Sequence, residues 1–190
     1  PSFEVLELTG SNTLTGWGNT GSNTVVGNGS ANELYGEDTP DWRSQRGGAD
    51  TLIGGAGNDR YFVDNPNDTV LESNTAPALR PAAWRLGEAL LDDDGRPYDL
   101  GDDADTLVAS MGRAVLAAFV ENGELAEGTA AREAIGNELA NDMSGNAAGN
   151  LLHGAIGNDT LTGGEGVDVA SFSGKRSEYT ISQDFTKVTD

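Results

Sequence analysis

An Asp or Asn recurs at nine-residue steps in two stretches of this chain: Asn23, Asn32, Asp41, Asp50, Asp59 and Asp68, then Asn141, Asn150, Asp159 and Asp168. Around these markers runs Gly-x-x-Gly-x-(Asn/Asp)-x-apolar-x, as in Gly18-Asn19-Thr20-Gly21-Ser22-Asn23-Thr24-Val25-Val26. The most regular copy is Gly163-Gly164-Glu165-Gly166-Val167-Asp168-Val169-Ala170-Ser171. Such a nonapeptide fits a turn of about six residues followed by a three-residue strand, with glycines taking backbone angles that a Cβ would oppose. Two nonapeptides complete one coil, and stacked coils make an all-β parallel roll.

Two residues after the markers stand Val25, Leu34, Leu52, Tyr61, Val70, Met143, Leu152, Leu161 and Ala170. One inward side chain per nonapeptide builds a narrow continuous core, which accounts for an apolar content of only 36%. Arg43 is the exception: Glu37-Asp38-Thr39-Pro40-Asp41-Trp42-Arg43 keeps the spacing but loses the turn glycine and the core residue, which predicts a bulged loop.

A longer repeat lies above the short one. Phe3–Gly10 resembles Val120–Gly128, and Gly27–Gly36 corresponds to Gly145–Gly154, so the chain holds two copies of a larger unit. The expected division is a first roll unit at 1–72, an irregular surface insertion at 73–105 and a second unit at 106–190, with the coils able to continue as one solenoid. Within the insertion Pro77 and Pro81 break structure, and Trp84 to Leu91 can form a short helix. Asp105-Thr106-Leu107-Val108 reads as a coil resuming, and Tyr179-Thr180-Ile181 with Thr186-Lys187-Val188 as strand, turn, strand. The whole reads as a segment of something longer.

Thirty-one acidic residues against eleven Lys and Arg give a net charge of −20. That field repels nucleic acid and anionic lipid and makes cations the natural partners. With no Cys and only His153, a zinc site of the usual kind is excluded. No apolar run approaches the ~20 residues of a membrane-spanning helix, so membrane insertion is not expected.

Hard, oxygen-liganded cations remain, and calcium takes six to eight oxygens from carboxylates and backbone carbonyls in forgiving geometry. Glycine-rich turns offer the carbonyls and the Asp markers the charge. Markers eighteen residues apart should meet in adjacent coils, pairing Asp41 with Asp59 and Asp50 with Asp68. The pairs Asn141 with Asp159 and Asn150 with Asp168 carry one charge fewer and should bind more weakly. The expected ligands are therefore Asp41, Asp50, Asp59, Asp68, Asp159 and Asp168. Turns marked by Asn23, Asn32, Asn141 and Asn150 are expected to use an amide ladder in place of metal.

The repeated motif is similar to the hemolysin-type, or RTX, calcium-binding repeat of bacterial exported proteins. The resemblance covers about 18–71 and 136–172. Gly47-Gly48-Ala49-Asp50, one residue short within the turn, and Ala155 in place of a glycine depart from it. It implies a right-handed parallel β-roll, secreted or displayed at the cell surface, exported by type I secretion machinery. It also implies disorder at low calcium and folding outside the cell, where metal-binding energy becomes folding energy.

Other chemistry is less well supported. Asp92-x-Asp94-Gly95 resembles part of an EF-hand loop but lacks the closing Glu. His153 has no nucleophile motif beside it, and no catalytic residue is expected. Trp17, Trp42 and Trp84 could form a carbohydrate platform, which leaves an adhesin repeat binding glycan or a surface as one alternative. An accessory domain of a secreted hydrolase or peroxidase is the other.

Overall fold

A computed structural model describes residues 3–37, 47–72, 104–172, 179–181 and 187–189. Among them there is no helix. The strands β1 (Val5–Glu7), β2 (Thr15–Trp17), β3 (Thr24–Val26), β4 (Glu33–Tyr35), β5 (Thr51–Ile53), β6 (Arg60–Val63), β7 (Thr69–Leu71) and β8 (Thr106–Ala109) form the first half. The second holds β9 (Arg113–Val115), β10 (Asn122–Leu125), β11 (Glu133–Ile135), β12 (Asp142–Ser144), β13 (Leu151–His153), β14 (Thr160–Thr162) and β15 (Val169–Ser171), then β16 (Thr180–Ile181) and β17 (Lys187–Thr189).

Successive strands alternate between two faces, which makes a parallel β-solenoid of about seven turns. The even strands β2 to β14 pair in parallel in one unbroken sheet, and the odd strands form two sheets, β1-β3-β5-β7 and β9-β11-β13-β15. β6 pairs directly with β8, Tyr61 opposite Leu107, so the even face continues across residues 73–103, which lie outside the described set together with the helix expected at Trp84–Leu91 and the Asp92–Gly95 turn.

The regular step is eighteen residues, as in Thr51 opposite Thr69 and Asp142 opposite Thr160. Between β3 and β5 it is twenty-seven, Thr24 opposite Thr51, and β4 meets β6 with the same offset. One nonapeptide, the one marked by Asp41, is therefore extra to the coil. Asp41, Trp42 and Arg43 themselves lie outside the described residues.

The inward positions are as the period requires. Val25, Leu34, Leu52, Tyr61 and Met143 are fully buried, and Leu152, Leu161 and Val70 nearly so. Each such side chain removes roughly 1.5–3 kcal/mol worth of apolar surface from water. Ala170 is the exception, exposed in the last parallel strand where no further described coil covers it. At Gly123 the inward position is vacated, and Leu116 from the adjoining turn fills the space.

The two longer sequence units do not superpose on one face. β4 lies in the even sheet and its counterpart β13 among the odd strands, because an odd number of half-coils separates them. Outside the even sheet Trp17, Tyr35 and Phe62 stack with centroids 3.8 and 4.0 Å apart and planes within 6°. Tyr35 lies between the other two rings, and Trp17, on the end strand of the sheet, is 36% exposed. At the other end, β17 pairs antiparallel with β14 and with β16, as the strand-turn-strand expectation had it.

Candidate metal centre

The turns run along two edges of the solenoid. At both, the backbone N–H of a marker donates to the marker carboxylate of the next coil: Asn23 to Asp50 Oδ1 at 2.7 Å, Asn32 to Asp59 Oδ1 at 2.7 Å, Asn141 to Asp159 Oδ1 at 3.0 Å and Asn150 to Asp168 Oδ1 at 2.9 Å. The strand that follows each turn is thereby hung on its neighbour. The side chain folds back over the glycine that opens its turn: a Cβ on Gly36, Gly54, Gly154 or Gly163 would overlap the carboxylate of Asp50, Asp59, Asp159 or Asp168. This close approach is why the repeat keeps glycine there.

Two kinds of turn share this frame. In those marked by Asn, Oδ1 accepts the N–H of the residue four before it: Asn19 to Asn23 at 2.6 Å, Asn28 to Asn32 at 2.8 Å, Asn137 to Asn141 at 2.9 Å and Asn146 to Asn150 at 2.8 Å. The amide of that earlier Asn reaches carbonyls of the preceding coil. Asn137 Nδ2 donates to Ala117 O and Val120 O at 2.7 and 2.8 Å, Asn146 Nδ2 to Ala126 O and Ala131 O, and Asn28 Nδ2 to Asn12 O. An amide has both donors and an acceptor, so these turns close without an ion.

The turns before Asp59, Asp159 and Asp168 take another path. Residues four and two before the marker have left-handed φ: Gly55 and Gly57, Ala155 and Gly157, Gly164 and Gly166. Ala155, at φ 75°, adopts this conformation without the glycine that would make it cheap.

At the first edge three carboxylates converge. Asp59, Glu72 and Asp105 are all buried, and one oxygen from each lies within 4.8 Å of the others. Asp59 N donates to Asp105 Oδ1 at 2.7 Å and Asp105 N to Glu121 Oε2 at 2.9 Å, so the marker column continues through the resumed coil. Tyr61, pointing inward from β6, donates its hydroxyl to Glu72 Oε2. Three negative groups removed from water at this separation repel strongly, and a bound cation inverts the sign of that interaction. The all-oxygen donor set fits calcium and excludes soft-metal chemistry.

The second edge carries another acidic group. Asp50 and Asp64 are 1% and 3% exposed, and Oδ2 of each has no hydrogen-bond partner. Burial, with the charges of Asp68 and Glu37 adding to it, pushes Asp50 up to about 6, although the Asn23 N–H opposes the rise. Burial, then Glu37, Asp68 and Asp50, pushes Asp64 up to about 7. Asp68 is raised by burial but accepts three backbone N–H groups, from Asp50, Asp64 and Asn65, and so closes its own short turn.

The six expected ligands are thus distributed unevenly. Asp50 stacks on Asp68, and Asp159 and Asp168 stack under Asn141 and Asn150, as their spacing predicts. Asn32 holds the place above Asp59 that the spacing gave to Asp41, and Asp41 itself lies outside the described residues. Glu37, Asp64, Glu72 and Asp105 were not anticipated. Asp105-Thr106-Leu107 repeats Asp50-Thr51-Leu52 and Asp159-Thr160-Leu161, a signal that could have found the last of them. Nothing local marks the other three.

The family described as RTX calcium-binding nonapeptide repeat matches the chain over residues 17–39, 46–70 and 135–170. No curated protein and no solved structure matches it. The matched stretches contain both kinds of turn and stop short of Glu72 and Asp105. With its marker ladder, turn glycines and inward apolar column, the chain carries four copies of the RTX calcium-binding nonapeptide repeat.

Proposed function

We propose that this chain is a calcium-dependent folding module of a larger exported bacterial protein, without a catalytic site of its own. The observation that carries the reading is the convergence of Asp59, Glu72 and Asp105, buried and within 4.8 Å. Calcium there would be held by those carboxylates and would cancel their repulsion, so that binding energy appears as folding energy. Asp50, Asp159 and Asp168 are further ligands under the same reading, with Asp41 outside the described residues.

Extracellular calcium modules commonly bind at about 10⁻⁴–10⁻³ M, so such a module stays open in a low-calcium cytoplasm and closes outside. Passage through a type I channel in an unfolded state, and a secreted or surface location, follow from the family likeness. Circular dichroism of the chain titrated from chelator to about 10 mM calcium, with magnesium as control, tests the reading. A calcium-specific gain of β-structure, weakened in Asp59→Asn/Asp105→Asn, is expected. Full β-structure in chelator, with no thermal shift on adding calcium, would refute it.

A further inference from the structure

We propose that the N-terminal end of the solenoid, the open edges of β1 and β2, is a docking face for one further nonapeptide coil from another stretch of polypeptide. That coil brings a marker N–H, an inward aliphatic residue and two short parallel strands. β1 and β2 end their sheets, each paired on one side only among the described residues.

The molecule holds the covered form of this face within itself. Phe3-Glu4-Val5-Leu6-Glu7-Leu8 corresponds to Val120-Glu121-Asn122-Gly123-Glu124-Leu125. Toward the C-terminal side the two units make the same bonds. Phe3 O accepts Asn19 Nδ2 and Asn23 Nδ2, both at 2.9 Å, as Val120 O accepts Asn137 Nδ2 at 2.8 Å and Asn141 Nδ2 at 3.3 Å. β3 pairs with β1 as β12 pairs with β10, and β4 with β2 as β13 with β11.

Toward the N-terminal side they differ. The inner unit is covered by the coil of β8 and β9: Gly123 lies opposite Leu107, Glu133 lies opposite Arg113, and Asp105 N donates to Glu121 Oε2 at 2.9 Å. Val120 is 0% exposed there, whereas Phe3 is 44% and Val5 57% exposed, and Leu6 and Leu8 are only partly buried. The closing coil of a solenoid turns a polar face to water; this end turns Phe3, Val5 and Trp17 to it. In the marker columns the backbone N–H of one coil donates to the side chain of the next. Glu4, in the place of Glu121, therefore offers the acceptor, and the arriving coil must offer the N–H.

A second copy does not fit. Its β15 follows a marker and would continue the odd face, but the even sheet would then have one place between that copy's β14 and the arriving β2, and β17 and β16 both stand there.

The test joins residues 104–119, the coil that covers the inner unit, directly ahead of Phe3 in place of Pro1 and Ser2, which reproduces the inner connection to Val120. Melting temperature and amide hydrogen exchange at residues 5–7 and 15–17 are measured in calcium, with a scrambled 104–119 extension as control. The extended chain should melt higher, and those amides should exchange on the order of tenfold more slowly. Glu4→Ala should remove part of that gain in the extended chain and change the parent little. Equal melting temperatures and equal exchange with the true and scrambled extensions would refute the docking face. Should the extended chain fail to fold, the synthetic 104–119 peptide added to the full chain gives the same exchange readout, and no slowing at residues 5–7 refutes it as well. Sedimentation of the parent covers the other occupant: a dimer that protects residues 5–7 would give the face to a second copy and overturn the proposal.

Discussion

The turns marked by Asn23, Asn32, Asn141 and Asn150 and the turns around Asp50, Asp59 and Asp105 hold the same strands in the same stack by opposite electrostatic means. In the first group every ladder amide donates and accepts, so the side chains close each turn with uncharged hydrogen bonds, while the marker's backbone N–H donates to an Asp carboxylate of the next coil. In the second, buried acceptors face buried acceptors. The two kinds of turn thus differ in charge while sharing one apolar core. The acidic turns also flank residues 38–46 and 73–103, which lie outside the described set.

The strongest way to break the comparison is to remove an amide. Asn141→Ala leaves the Asn137 N–H without its acceptor and removes the amide's bonds to Glu121 O and Asn137 Oδ1, while Val120 O keeps Asn137 Nδ2 and Glu121 O keeps the Asp142 N–H. A loss of about 1–3 kcal/mol is expected, of similar size in calcium and in chelator, measured by urea unfolding. A loss that calcium repairs would mean the amide turns also use metal.

A second test uses protons in place of calcium. Asp50 and Asp64 are raised from an ordinary value of 3.8 to about 6 and about 7. They bind protons more tightly folded than unfolded, so their contribution to stability is full below the unfolded value and is lost as pH rises through the folded ones. In chelator the melting temperature should climb as pH falls from about 7.5 to about 5.5, with Asp50, Asp64 and Asp68 the groups concerned. Saturating calcium should flatten or reverse that climb, because protons then displace the ion.

Smaller effects sharpen the contrast. Ala155→Gly relieves a left-handed alanine and should stabilise the chain by about 1 kcal/mol with or without calcium. A neutral or destabilising result would mean that the turn before Asp159 is not held in the left-handed form. The least effect belongs to Arg60→Ala, which breaks a 3.0 Å ion pair with Glu124 whose partners are 41% and 45% exposed. A change under about 1 kcal/mol is expected by thermal unfolding.

The sequence by itself determined the coil. A marker every nine residues, a glycine under its side chain and an apolar residue two places on dictate turn, strand and inward face, because these depend on local backbone geometry and on a period of two strands per turn. It also separated the amide turns from the acidic ones, since Asn and Asp differ in whether they can donate. The tertiary structure alone decided which carboxylates meet. Glu72 and Asp105 come together across 73–104, and Glu37 lies over Asp64, because the parallel sheets keep their register through the packed core whatever the number of residues between strands. The same rule places Asn32 over Asp59, because stacking follows the paired strands β4 and β6.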